Sequence, residues 1–329
     1  MSRVITRKLF LGTAVAGLAF VPAAAAQAAP TTLAPEEAPT RVAAWESTVM
    51  WSRQDPATGS YALMKSVNAG APTPVAVPKR AGRPFDIDLG TSRSGSTVAV
   101  YTRGGDIYRL NVASGVEAKV SRLSSPKVER SPTIQHGRIA FIRRNGRVDE
   151  LRVGTATTGS HVLVRGASIL SAELGERHVA YVTEGRSGAM LGESQMHIRN
   201  LATGSDKMVY RARSGGSNHA SIFRASYVAR PEGFLWARTN VGSGSGNRLV
   251  RYTLRGGKLD YAAGSMSLIS TAWANETLGA VTTSVSGGSE SANSTKPGAC
   301  TDVGVRSTDG SVRYCDIVLT GPLSFGLTS

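Results

Sequence analysis

The chain contains the segment Val98–Val120, VAVYTRGGDIYRLNVASGVEAKV, whose pattern decides the fold. It opens with an apolar run, Val98–Arg103 (VAVYTR), and closes with a strand–turn–strand phrase, Arg109–Val120 (RLNVASGVEAKV). Both phrases recur. The apolar run returns at Ile139–Arg144, Val179–Glu184 and Phe234–Thr239, and the second phrase returns at Arg152–Val164, Arg199–Tyr210 and Arg251–Ala262. Because one such unit cannot bury its apolar faces alone, units of this kind stack on their neighbours, and the repeat determines the architecture.

The pattern within one unit predicts strands. Residues Val98–Tyr101 are all apolar, which is typical of a strand covered on both faces. The next strand alternates, so that Tyr108, Leu110 and Val112 share one face. No stretch of about 11 residues or more carries a convincing helical apolar stripe. The sequence therefore predicts an all-β domain.

The number of units sets the predicted architecture. Two further apolar runs, Thr48–Arg53 and Leu278–Thr283, extend the series, and successive runs begin about 40 to 55 residues apart. A first strand precedes each run, at Val42–Glu46, Phe85–Leu89, Ser131–Gln135, Ile169–Leu174, Ala220–Ala225 and Leu268–Trp273. We therefore predict a single six-bladed β-propeller of four-stranded antiparallel blades over residues 41–321, followed by a C-terminal tail, 322–329.

The N-terminus carries the features of an export signal. Three basic residues precede an apolar run that ends near Val21, and Ala26-Gln27-Ala28 supplies the pattern that signal peptidase reads. The run is shorter than the roughly 20 residues that cross a bilayer, so a retained anchor is the weaker alternative. We predict a cleaved Sec-type signal peptide (1–28), a disordered or extended leader (29–40), and a secreted or cell-surface monomer without a transmembrane segment.

The cysteines and the charge bound the partners. Cys300 and Cys315 are predicted to form a disulfide, with two free thiols as the alternative. The net charge of +15 favours polyanions such as an anionic cell wall. Nucleic acid is not an expected partner, because no basic run with interleaved aromatic residues marks a binding channel.

One unit carries a family resemblance. Ser131-Pro132 followed by Gly137–Phe141, together with Phe85–Gly90 and Asp106–Leu110, resembles the repeat of exported TolB-like β-propeller proteins of high-GC bacteria. The likeness covers Arg41–Tyr261 and, more weakly, Ser267–Leu319. It implies a periplasmic or cell-surface binding platform.

Candidate site residues come from the innermost strands. Asp86, Asp88, Glu173 and His219 are predicted to line the central tunnel and to contribute to binding. The carboxylates could hold Ca²⁺ or pair with neighbouring arginines such as Arg83 and Arg130. The histidines lack metal-ligand spacing, and no nucleophile elbow precedes a helix. No cofactor, metal or catalytic residue is therefore predicted.

Three functions fit these features. The first is a non-catalytic platform that binds a protein, a peptide or a cell-envelope polymer. The alternative is a channel-centred hydrolase or lyase that uses tunnel carboxylates, with or without Ca²⁺. A third is a structural surface protein held to an anionic wall polymer.

Overall fold

The fold consists of strands joined by turns and loops. A computed structural model describes residues 31–34, 36, 40–166, 168–185, 193–212, 219–222, 224–241, 248–262, 267–275, 279–286, 290–291, 306–307, 314–319 and 326–327. These residues contain no helix, so none of them forms a helix long and apolar enough to cross a membrane.

Five blades follow the chain in order, after strand β1 (Thr31–Ala34). The first contains β2 (Val42–Trp45), β3 (Thr48–Gln54), β4 (Ser60–Val67), β5 (Thr73–Pro74) and β6 (Arg80–Ala81). The second contains β7 (Asp88–Thr91), β8 (Thr97–Arg103), β9 (Asp106–Asn111) and β10 (Glu117–Lys119). The third contains β11 (Glu129–Gln135), β12 (Arg138–Asn145), β13 (Val148–Thr155) and β14 (Gly159–Gly166). The fourth contains β15 (Ile169–Leu174), β16 (His178–Gly185), β17 (Glu193–Asn200) and β18 (Asp206–Ala212). The fifth contains β19 (His219–Ile222), β20 (Ser226–Val228), β21 (Gly233–Val241), β22 (Arg248–Thr253) and β23 (Gly257–Ala262).

Six strands are described in the rest of the chain, and three of them belong to a composite sheet. The six are β24 (Ser267–Asn275), β25 (Gly279–Ser286), β26 (Glu290–Ser291), β27 (Arg306–Ser307), β28 (Tyr314–Leu319) and β29 (Gly326–Leu327). Among the described strands, β26 and β27 pair with each other, and β29 extends the fifth blade beside β23. Strands β24, β25 and β28 join β1 in the composite sheet. The composite sheet has the order β1-β28-β25-β24, and its β24 packs against β21 of the fifth blade and β2 of the first.

The prediction of six blades is therefore wrong. In the part of the chain that the structure describes, five blades are built from consecutive strands, and the described strands after Ala262 do not form a four-stranded blade by themselves. Strand β1 pairs with β28 instead, so segments far apart in the sequence meet in one sheet. The blades are also unequal, because the sheets of the first and fifth blades have five and six strands.

The predicted leader takes part in this closure. Thr31–Ala34 form a strand, and the buried carboxylate of Glu36 accepts a hydrogen bond from Trp51 Nε1 at 2.5 Å. Arg53 Nη2 donates to the same carboxylate at 2.8 Å. An extended chain with a buried, paired carboxylate is held in place.

The second strand of each blade forms the core between neighbouring blades. Val98, Ala99, Val100 and Tyr101 of β8 are at most 2% exposed, as the uniformly apolar run predicts. The equivalent strands of the other four blades also bury their apolar residues, including Trp51, Phe141, Val182 and Trp236. Each such side chain contributes about 1.5–3 kcal/mol through burial. Packed blades in turn fix the positions of the innermost strands.

Candidate functional site

A polar side chain of each innermost strand links the second, third, fourth and fifth blades. Asp88, Thr133 and Glu173 occupy equivalent positions, each directly before a buried apolar residue. The first accepts a hydrogen bond from the Ile134 amide at 2.9 Å, and the second accepts one from the Leu174 amide at 2.9 Å. Glu173 Oε1 accepts one from the Tyr227 amide at 3.0 Å. In each case the acceptor belongs to one blade and the donor to the next blade along the chain.

Arg224 reaches this centre from a break in the innermost strand of the fifth blade. The sequence predicts one strand over Ala220–Ala225, but the structure has two short strands, β19 and β20, which both pair with β21. Arg224 lies between them. Its guanidinium donates to the carbonyl oxygens of Ile87 at 3.1 Å and Pro132 at 2.8 Å.

The same guanidinium faces three carboxylates. Arg224 Nε lies 3.4 Å from Glu173 Oε2, Nη1 lies 3.6 Å from Asp86 Oδ1, and Nη2 lies 3.7 Å from Asp88 Oδ1. The side chain of Arg224 is 13% exposed and that of Glu173 is 5% exposed, so the cluster is largely removed from water. We call Arg224, Asp86, Asp88 and Glu173 the central cluster.

Asp86 is the most exposed carboxylate of the central cluster. Its Oδ1 pairs with Arg41 Nη1, and its Oδ2 accepts a hydrogen bond from the Ser131 amide. Burial raises the pKa of Asp86, but the charges of Arg41 and Arg224 together outweigh burial and leave that pKa below its ordinary value. Asp86 is therefore a carboxylate anion at neutral pH.

The two deeper carboxylates behave differently. Burial raises the pKa of Asp88, although Arg224 and the Ile134 amide act against it. Burial and the charge of Asp88 raise the pKa of Glu173 well above its ordinary value. Burial lowers the pKa of Arg224, but the three carboxylates more than reverse that effect. One guanidinium thus faces two deep carboxylates, and of these two groups Glu173 binds a proton more readily than Asp88 does.

The structure brings together three of the four candidates named from the sequence, Asp86, Asp88 and Glu173. His219 is the first residue of β19, opposite Val241, and its side chain lies outside the described part. Of the arginines considered as partners, Arg130 pairs with Asp149 at 2.7 Å, while Arg41 and Arg224 serve the central cluster. Arg224 was missed, although a charged residue within a predicted innermost strand is a signal that could have found it.

The two cysteines give no further information on the site. Cys300 lies outside the described residues, and Cys315 belongs to β28 without a described side chain. The disulfide therefore stays a prediction.

The central cluster holds neighbouring blades together through internal ion pairs and hydrogen bonds. The oxygens of Asp88 and Glu173 already face the guanidinium and the backbone amides of the next blade. Such charge-assisted hydrogen bonds are stronger than neutral ones. Within the described ranges, no three His, Cys, Asp or Glu residues are grouped so that they could hold a metal ion.

The comparisons with known proteins concern the fold. No protein-family profile and no curated protein matches the sequence. Among solved structures, TolB from Acinetobacter baumannii is 15% identical with a TM-score of 0.54, covering 84% of this chain and 65% of TolB. This chain therefore spans less than two thirds of TolB. An oligogalacturonate lyase in complex with manganese is 14% identical with a TM-score of 0.50, covering 82% of this chain and 77% of the lyase. The Vibrio parahaemolyticus oligogalacturonate lyase is 9% identical with a TM-score of 0.51, covering 79% of this chain and 74% of that lyase. The chain thus has a TolB-like β-propeller fold.

Proposed function

We propose that this chain is an exported, non-catalytic β-propeller that binds a protein, a peptide or a cell-envelope polymer. The observation that supports this most is the engagement of the central carboxylates. A catalytic carboxylate must reach a substrate proton or atom, whereas Asp88 and Glu173 face Arg224 and the amides of neighbouring blades. Binding is then left to the turns at the two ends of the ring, the usual location of function on a rigid scaffold.

The compartment and the oligomeric state belong to the same proposal. The basic residues, apolar run and Ala26-Gln27-Ala28 near the N-terminus support export and cleavage. Pairing of β1 with β28 supports a monomer, because the edge of β28 is covered by a strand of the same molecule.

Capture from the native envelope tests the proposed function. The purified chain is immobilised, exposed to separated protein and polymer fractions of the envelope, and cross-linked before mass spectrometry and sugar analysis. We expect one saturable partner in one of the two fractions. A chain that retains nothing saturably from either fraction would contradict the proposal.

A channel-centred hydrolase or lyase is the second candidate, and the raised pKa of Glu173 favours it. A carboxyl group that keeps its proton to a higher pH than an ordinary glutamate can act as a general acid. Turnover of acidic and neutral polysaccharides, with and without added Ca²⁺, separates the two functions. Activity that Glu173→Gln abolishes, in a variant that still folds, would establish the enzyme and displace the binding platform.

A further inference from the structure

A groove lies between the second blade and the connection 120–128, which leads to the third blade, at one end of the ring. The strands are antiparallel, so the β8–β9 turn, the β12–β13 turn and the connection 120–128 share that end. The groove has a volume of about 580 Å³, and residues that line it include Gly105, Lys119, Ser121, Pro126, Lys127 and Val128. This volume accommodates one or two side chains of a bound peptide.

The carboxylates beneath this surface are buried and already paired. Glu129 pairs with Arg143 at 2.8 Å, and Asp149 pairs with Arg130 at 2.7 Å and with Arg144 at 3.0 Å. The carboxylate side chains are at most 1% exposed, so their charges are not presented to solvent. Asp106 also lines the groove, where it pairs with Lys119 at 2.7 Å. The acidic groups of this region are therefore paired, and the positive charge of the surface comes from cations outside these pairs.

The solvent-exposed surface around the groove carries mostly basic side chains. Arg122, Lys127 and Arg147 are exposed, and no ion pair within the described chain involves any of the three. Lys127 Nζ donates to Asn145 Oδ1 at 2.6 Å, which places its ammonium group beside the β12–β13 turn that carries Arg147. Excess positive charge on one surface attracts a negatively charged partner.

Apolar side chains accompany these cations. Val128 is 52% exposed and Val148 is 40% exposed. The Val128 carbonyl accepts a hydrogen bond from the Arg144 amide at 3.2 Å, and Val148 lies opposite Asn145 in the same hairpin. Exposed valines beside unpaired cations fit a peptide with an apolar side chain better than a sugar polymer, which has no aliphatic side chain to bury.

We propose that this end of the second and third blades binds an acidic peptide segment of a partner protein. An apolar residue of the peptide enters the groove against Pro126 and Val128, and flanking carboxylates meet Lys127 and Arg147. The inference rests on the proposed binding function, and it adds the face and the chemistry of the partner.

A displayed library of random peptides tests this inference on the purified full chain. We expect the enriched peptides to carry an excess of Asp and Glu around one apolar residue. Fluorescein-labelled copies, measured by anisotropy, should bind at least about tenfold more weakly to the variant with Lys127→Glu and Arg147→Glu. The matched control, Arg93→Glu with Arg177→Glu, changes exposed arginines in the β7–β8 and β15–β16 turns at the opposite end of the ring and should leave binding unchanged.

Val128→Ser separates a peptide from a polyanion, because it removes an apolar contact without changing charge. It should weaken the binding of the acidic peptides and leave the binding of polygalacturonate, an acidic polysaccharide, unchanged. Three results would overturn the inference: no enrichment of acidic peptides, acidic peptides insensitive to the Lys127 and Arg147 changes, or peptides insensitive to Val128→Ser. A saturable envelope partner that binds the opposite face would keep the proposed function and remove only this inference.

Discussion

Replacing Arg224 by methionine keeps most of the side-chain volume and removes the charge that faces Asp86, Asp88 and Glu173. The substitution removes three ion pairs, with nitrogen–oxygen distances of 3.4–3.7 Å, and two hydrogen bonds to backbone carbonyls. Breaking a buried ion pair by removing one partner costs about 3–5 kcal/mol, since the other charge stays buried. We expect Arg224→Met to lower the free energy of unfolding by this amount at pH 7.

Urea unfolding followed by tryptophan fluorescence measures the effect. With an m-value of about 3 kcal/mol per M, the midpoint should fall by about 1–1.7 M. Arg177→Met, at an exposed arginine in the β15–β16 turn, is the matched control and should change stability by less than about 0.5 kcal/mol. Adding Glu173→Gln to Arg224→Met should recover part of the loss, because it removes the buried acidic group that faces Asp88 once the guanidinium is gone.

A small effect would refute this reasoning. If Arg224→Met unfolds at the same urea concentration as Arg177→Met, the guanidinium does not neutralise the central carboxylates. Equal stability of Arg224→Met with and without Glu173→Gln would likewise show that the two side chains are not coupled.

Three further predictions concern the same ring. The raised pKa of Glu173 gives a stability contribution that is complete below pH 4.5, the ordinary pKa of a glutamate in the unfolded chain, and that is lost as the pH rises through the folded pKa. The free energy of unfolding should therefore fall over that pH range in the wild type and fall less in Glu173→Gln. Identical pH profiles of the two proteins would contradict the assignment. Thr133→Val leaves the buried Leu174 amide without its acceptor and should cost about 1–3 kcal/mol, whereas Thr133→Ser keeps the hydroxyl and should cost less, as thermal and urea unfolding would report. Deleting residues 1–34 removes β1 from β28 and should lower the melting temperature relative to deletion of residues 1–30; equal melting of the two deletions would show that β1 does not close the ring.

The β-propeller fold could be predicted from the sequence because each repeat unit is recognisable from its own apolar runs and turn residues. The apolar run Val98–Tyr101 predicts a doubly covered strand, and the structure buries it. The turn glycines Gly115 and Gly204 have φ values of +70° and +74°, the left-handed region that glycine adopts at least cost. Period and turn chemistry are properties of neighbouring residues, so one unit can be interpreted without the others.

The closure of the ring could not be predicted in the same way. Pairing of Thr31–Ala34 with β28 joins residues nearly 300 positions apart, and nothing local marks a four-residue strand in a Pro/Ala-rich segment. The weak last repeat was interpreted as a sixth complete blade for that reason.

The centre of the ring was predicted in part. The positions of Asp86, Asp88 and Glu173 before or within innermost strands indicated that they would lie near the axis. Their partner could not be assigned, because Arg224 reaches them only where the fifth blade breaks its innermost strand. Arg83 is closer to Asp86 along the chain, but the structure pairs Asp86 with Arg41 and Arg224.

Hydrogen exchange at the amides of Ile134, Leu174 and Tyr227 tests most directly whether the middle of the ring is a closed structural lock. Each of these amides donates to a side chain of the preceding blade. We predict that all three exchange only through global unfolding, with protection equal to that of the core strands. Exchange at the rate of exposed loop amides would show an open, hydrated channel and would contradict the account.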